Sequence, residues 1–333
     1  MPVADERAPR TARPSASATT AHDLQTGPVR PRETEYRPAH PLDLHATVAI
    51  HRRGGGDPTM TIDGAVIWHA ARTPDGIATT ALREVAPGVI RAAAWGPGAE
   101  WALAQVPALC GARDDATGFD ATRHPIVAGA HHRHPGLRLG RTDLVFDALA
   151  GAILEQKVTG IQAFGAWRRL VTRFGQRAPG PTPRPLFAPP AIDDWRRIPS
   201  WAWHRAGVEP AQSRAVVEAA RRGRSLVRAL TDAVDGPARD AVLTSVPGVG
   251  RWTAAETRAR ALGDPDAVSV GDYHLAHEIG FALAGTRTDD DGMLRLLAAW
   301  PGQRQRVIRL VRMSGPREPR RGPRLHPEDH RDR

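Results

Sequence analysis

Cysteine and lysine each occur once in this 333-residue chain, as Cys110 and Lys157. A single cysteine excludes an internal disulfide framework and any cysteine-rich zinc or iron–sulfur site. No apolar run reaches the roughly 18 residues that a membrane-spanning helix needs. The first residues also lack the apolar core of a secretory signal. A reducing, cytoplasmic setting without a membrane partner is therefore expected.

What the chain has in quantity is arginine. The 46 basic residues exceed the 36 acidic ones by 10, and Lys157 is the only basic residue among them that is not arginine. The excess is uneven. Residues 141–314 hold 25 Lys+Arg against 18 acids, while residues 1–35 and 36–140 are nearly balanced. A positive second half suits a polyanionic partner, although a solvated arginine-rich surface gives the same count.

Residues 1–35 are rich in Pro, Ser, Ala and Thr, with almost no large apolar groups, and read as a disordered tail. The end, 315–333, reads the same way. Order is expected from about Tyr36. In LDLHATVAI, residues Leu42, Leu44, Ala46, Val48 and Ile50 alternate with more polar neighbours, the period-2 pattern of a half-buried strand. Asp63-Gly64 then separates two strand-like runs as a hairpin turn would, and TPDG (73–76) marks another turn. GVIRAAAW adds a strand and Ala99–Leu109 a helix, so residues 36–140 read as an antiparallel α+β domain. Beyond about residue 140 the strand signal fades. TDLVFDALAGAILEQKVTG is apolar on nearly every side, a buried helix with Thr142 as its N-cap. Ile161, Phe164, Trp167, Val171 and Phe174 recur at helical spacing until Gly175 ends the run. Residues 179–190 read as a Pro-rich loop. Further helices are expected at 193–197, 210–222, 224–234, 237–245, 252–262, 273–284 and 289–312, each as one helix. Residues 141–314 are thus an all-helical domain.

The stretch SVPGVGRWTAAET (245–257) sets a tight turn against a helix start. Gly248 and Gly250 permit positive φ and leave room for an approaching backbone, and Pro247 pre-sets the turn. The helix begins near Arg251, so its unpaired N–H groups and positive dipole end face the same place. A phosphate fits there whatever base it carries. An ordinary corner between two helices would look the same. The second landmark is Asp272, in DAVSVGDYHL, which follows Gly250 after one helix and a short loop.

Hairpin VPGVGRWTA, aspartate loop VSVGDYHL and upstream helix end AILEQKVTG, in their order, resemble the helix-hairpin-helix DNA glycosylases, most closely the bacterial 3-methyladenine DNA glycosylase II branch. The resemblance covers roughly residues 36–312. It implies an N-terminal antiparallel domain like half of a TATA-binding protein, followed by the helical glycosylase domain. The implied partner is double-stranded DNA with damaged bases, bound by a monomer associated with the nucleoid. No cofactor and no iron–sulfur cluster are implied, though a structural monovalent cation at the hairpin is compatible. Asp272 becomes the catalytic carboxylate, facing the positive charge that develops on the sugar as the base leaves and orienting water. Pro247, Gly248, Val249, Gly250, Arg251 and Thr253 form the DNA-binding hairpin. Gln156 and Lys157 stand where relatives push a residue into the gap left by the flipped nucleotide. Trp252 and Glu256 fall on the base pocket.

Each residue also carries a plainer reading. Asp272 can cap the helix at 273–284, Trp252 can be core, Glu256 can pair with Arg260 four residues on, and Lys157 can be a solvated helix-end cation. Relatives that also cut the strand carry a lysine at the second position after GVG. This chain has Trp252 there, so a Schiff base cannot form at the usual place and monofunctional hydrolysis is expected. The rivals are a lyase using another amine and a non-catalytic hairpin protein that binds DNA. HHRH (131–134) lacks the accompanying ligands of a metal site, and Asp289–Asp291 read as a charged helix start.

Overall fold

The computed structural model describes residues 30–318, so most of both expected tails lies outside the described residues. The described chain opens with β1 (Arg32–Tyr36), α1 (Leu44–Val48) and a 3₁₀ turn at Ala49–His51. Strands β2 (Met60–Asp63), β3 (Val66–Thr73), β4 (Gly76–Ala86) and β5 (Val89–Trp95) follow, then the short helices α2 (Ala99–Ala104) and α3 (Val106–Leu109). The five strands make one antiparallel sheet in the order β1-β5-β4-β3-β2. The turn at Asp63-Gly64 is present, with Gly64 at φ 55°.

Two expectations fail here. Residues 32–35 are not tail but belong to β1, an edge strand of sequence RETEY that pairs through its backbone with β5. Charged side chains suit an edge, where no apolar face is required. LDLHATVAI is not a strand but α1 and its 3₁₀ extension. The Asp43 carboxylate accepts the Ala46 N–H at 2.9 Å and starts the helix. Leu44, Thr47 and Val48 then share its buried face. A cap and an i, i+3, i+4 face outweighed the apparent alternation.

The remaining elements are helices, α4 (Pro125–Arg133), α5 (Val145–Leu154), α6 (Gly160–Phe174), α7 (Ile192–Trp195), α8 (Ser200–Ala206), α9 (Pro210–Asp232), α10 (Gly236–Thr244), α11 (Arg251–Leu262), α12 (Leu275–Ala284), α13 (Asp290–Leu297) and α14 (Arg304–Ser314), except for a small antiparallel ribbon of β6 (Gln176–Arg177) and β7 (Phe187–Ala188) that the all-helical expectation missed. The expected break between 222 and 224 is a kink at Gly223 (φ 35°) inside α9 rather than an end. Thr142 does not cap α5. Asp143 takes a left-handed turn (φ 56°), and the helix starts two residues later than expected, with Leu144 in the N-cap position.

These helices form two cores. Leu149, Ile153, Trp167, Trp195, Val216 and Ala254 pack within α5–α11. Val127, Leu275, Ile279, Met293, Leu297 and Val307 pack α4 with α12–α14. Part of the 36–140 segment, helix α4, thus leaves the sheet to complete the second helical core. Burying one such Leu or Ile contributes about 1.5–3 kcal/mol, which fixes the helix ends that carry the site. The loop 263–274 crosses from one core to the other. Asp272 lies at its far end.

Candidate active site

Helices α10 and α11 meet at a turn closed by the Val249 N–H donating to the Val246 carbonyl at 3.0 Å. Gly248 sits at φ 86°, and a Cβ there would come within 2.8 Å of the Ala215 methyl. The glycine is required by both conformation and space. Gly250 differs from expectation: its φ is −102° with extended ψ, so positive φ is not its role. A Cβ there meets nothing within 4 Å. Gly250 is the N-cap of α11, and no side chain caps the helix. The first-turn N–H groups thus have no side-chain acceptor, and the dipole end lies open beside exposed Pro247 and Arg251. The Arg258 guanidinium braces the hairpin from behind, at 2.9 Å from Asp240 on α10 and 2.6 Å from Asp264 beyond α11.

Not every expected DNA-facing side chain points outward. Val249 and Thr253 are buried. Gln156 donates through Nε2 to the Gly248 carbonyl at 2.9 Å and to the Thr253 hydroxyl at 2.7 Å. Gln156 and the Thr253 hydroxyl therefore shape the hairpin, leaving the Thr253 backbone N–H for a ligand. In turn, Gln212 donates to the Leu154 and Gln156 carbonyls at 3.1 and 2.9 Å, fixing the turn after α5. Lys157 is exposed on that turn at φ 54°. A non-glycine residue pays about 1–3 kcal/mol for such a backbone, a cost that clusters at functional sites.

Both carboxylate oxygens of Asp272 are hydrogen-bonded. One carboxylate oxygen accepts the backbone N–H groups of His274, the N-cap of α12, and of Leu275, its first residue, both at 2.9 Å, and so holds the start of that helix. The other accepts the Trp252 indole N–H at 3.1 Å. Arg312 of α14 stands 3.9 Å away and is itself bound to Glu278 at 2.8 Å. Burial pushes the Asp272 pKa up, but the indole, the two backbone N–H groups and the Arg312 charge pull harder. The net shift is below the ordinary 3.8, so the group is a carboxylate at neutral pH. Its structural role at the start of α12 is thus real, and it occupies only one of the two oxygens. Trp252 is half-buried, its ring nitrogen committed to Asp272.

Glu256 does pair with Arg260, whose Nη2 and Nε donate to one of its oxygens at 3.1 and 3.2 Å. Its other oxygen accepts the Ser269 hydroxyl at 2.5 Å. Asp289 caps α13, and its neighbour Asp290 accepts the Gly271 N–H at 2.9 Å. His131 of the HHRH stretch packs edge-on to Phe119.

No protein-family model matches this chain, and neither does any curated protein. Solved structures do. A 3-methyladenine DNA glycosylase from Archaeoglobus fulgidus superimposes with TM-score 0.71 at 15% identity, over 84% of this chain and 97% of that one. The chain has the helix-hairpin-helix DNA glycosylase fold. An 8-oxoguanine glycosylase/lyase from Clostridium acetobutylicum also superimposes, with TM-score 0.66 at 10% identity, over 86% of this chain and 99% of that one. The same Clostridium enzyme has been solved with double-stranded DNA containing cytosine opposite 8-oxoguanine.

Within this glycosylase fold, three residues around Asp272 were invisible to motif reading: Ser269, Asp290 and Arg312. Ser269 and Asp290 tether the aspartate loop from α11 and α13, and Arg312 sets its charge environment. Asp290 was read only as part of a charged helix start. The other two carried no sequence signal, because their partners lie 13 and 40 residues away.

Proposed function

We propose that this protein is a monofunctional DNA glycosylase that hydrolyses the N-glycosidic bond of alkylated purines, of the 3-methyladenine type, in base excision repair. The observation that carries the reading is the pairing of an ionised, half-buried carboxylate, Asp272, with the uncapped N-terminus of α11. A hairpin that only grips phosphate has no need of a carboxylate nearby, since it would repel the backbone. Bond cleavage needs one.

The hairpin N–H groups hold a phosphate of the damaged strand and so fix the register without reading sequence. The nucleotide is extruded at a cost of a few kcal/mol, lowest for a damaged base. As the base departs with the bonding electron pair, positive charge develops on the sugar, and the Asp272 carboxylate stabilises it through its charge. Water then adds at the sugar carbon, and its proton passes to the carboxylate or to solvent. The Trp252 N–H keeps Asp272 oriented and ionised, and the indole face is available to stack on an electron-poor base. Trp252 stands where strand-cutting relatives carry their amine, so the product is an intact abasic site. Mass spectrometry of bases released from methylated duplex DNA tests the reading. Release of 3-methyladenine, lost in Asp272→Asn, is expected, and release of no methylated purine would refute it.

A further inference from the structure

The sequence offers Glu256 as a lining of the base pocket, yet both of its oxygens are engaged and its side chain is only 14% exposed. It belongs to a chain of contacts that leaves the site. Arg260 donates to Glu256, to the Ile50 carbonyl of the N-terminal lobe, and to Glu155 at 3.5 Å. The second oxygen of Glu155 lies 3.3 Å from the Arg53 guanidinium, also of that lobe. Two arginines and two glutamates thus form a charge-balanced cluster in which every side chain is at most 16% exposed. Burial of such a set requires near-complete pairing, because removing one member strands its partners.

The cluster does not end in a fourth ion pair. It ends on Ser269, which is 4% exposed. The Ser269 carbonyl accepts the Asp272 N–H at 3.2 Å. We propose that Arg260 and Glu256 form a positioning relay through which the N-terminal lobe holds the Asp272 loop in its working geometry. The relay rests on the catalytic reading of Asp272, and none of its members needs to touch DNA. It gives the sheet lobe a role in catalysis. Charge-assisted bonds run from Ile50 through Arg260 and Glu256 to the Ser269 hydroxyl, and the Ser269 backbone passes the constraint to Asp272. Asp290 pins the same loop from the opposite side through Gly271. Glu155 directly precedes Gln156, so the same cluster also anchors the turn that braces the hairpin.

The test uses the full chain and three variants: Ser269→Ala, Glu256→Gln and their combination. A catalytic group misplaced by a fraction of an ångström to 1 Å loses about ten- to a hundredfold in rate. Single-turnover excision should fall by that order in each single variant. The combination should be no slower than the slower single, because both break one relay. Affinity for abasic-site duplex should hold. The acid limb of the excision profile should move to higher pH as Asp272 loses its fit to the Trp252 N–H. The other charged or titratable groups around Asp272 are Arg312 from α14, Glu278 and His274 beside it, and Asp290 from α13. None of these is altered, so a moved limb reports loop position. Excision and acid limb both at wild-type values would overturn the relay, as would rate losses that add in the double variant or follow melting temperature with the limb unmoved. If Glu256→Gln does not fold, the rate and limb of Ser269→Ala decide alone. Asp272→Asn run in parallel separates the two ideas. Full activity in Asp272→Asn removes the catalytic reading itself, whereas its inactivity beside a normal Ser269→Ala removes only the relay.

Discussion

Replacing Asp272 by asparagine separates its hydrogen bonds from its charge, because one oxygen takes the His274 and Leu275 N–H groups and the other takes the Trp252 indole. The asparagine carbonyl keeps the bonds from the His274 and Leu275 N–H groups, now at 2.9 Å each, so the start of α12 stays held. The amide NH₂ then faces the Trp252 indole N–H, and two donors meet where 3.1 Å of hydrogen bond stood. At this half-buried site the lost bond costs about 1 kcal/mol. For a chain of this size that lowers the melting temperature by about 1–2 °C. The folded population at the assay temperature is then essentially unchanged. The rate is a different matter. On the proposed catalytic role, deleting the Asp272 charge should cost about 3–4 kcal/mol, or roughly 100- to 1,000-fold in rate. Single-turnover excision from methylated duplex, with thermal melting as the control, measures both. Affinity for DNA should hold or rise as a carboxylate is removed from the phosphates. Excision within a fewfold of wild type would refute the catalytic assignment and leave Asp272 a structural role alone. In the wild type the depressed Asp272 pKa sets the sign of the pH response: the carboxylate persists across neutral pH, and excision falls only in acid, below the ordinary 3.8.

Other expectations follow from the same geometry. Gly250→Asp places a carboxylate at the open end of α11, where a side chain meets nothing within 4 Å. DNA of every sequence should bind more weakly while the melting temperature holds, and unchanged affinity by fluorescence anisotropy would remove the hairpin from the interface. On the monofunctional reading, borohydride should trap no covalent complex; trapping that disappears in Lys157→Ala would instead make the single lysine a nucleophile. Arg258→Ala should destabilise the protein by about 3–5 kcal/mol by stranding the buried Asp264 behind the hairpin, as measured by urea unfolding, and a loss under 1 kcal/mol would show that the buried pair is dispensable.

The sequence alone determined the parts of this protein that rest on local physics. The Pro247-Gly248 turn, the uncapped start of α11, the Asp63-Gly64 hairpin and the run of buried helices after residue 140 follow from backbone preferences and from periodicities spanning a dozen residues. The order of hairpin, helix and Asp272 was equally legible, because all three lie within 28 residues of chain. Where a local signal misled, another local signal had outweighed it: Asp43 capped α1 although its residues alternate as a strand would. Tertiary structure alone decided which way the site's side chains face. Gln156 and Thr253 turn inward to brace the hairpin, and Glu256, whose pairing with Arg260 four residues on was legible in the sequence, gains Ser269 as a second partner. It also joined Asp272 to Arg312, and Arg260 to the Ile50 carbonyl 210 residues earlier in the chain. A polar side chain goes to whichever buried partner most nearly offsets its loss of water, and those partners are brought near only when the two helical cores and the sheet lobe pack.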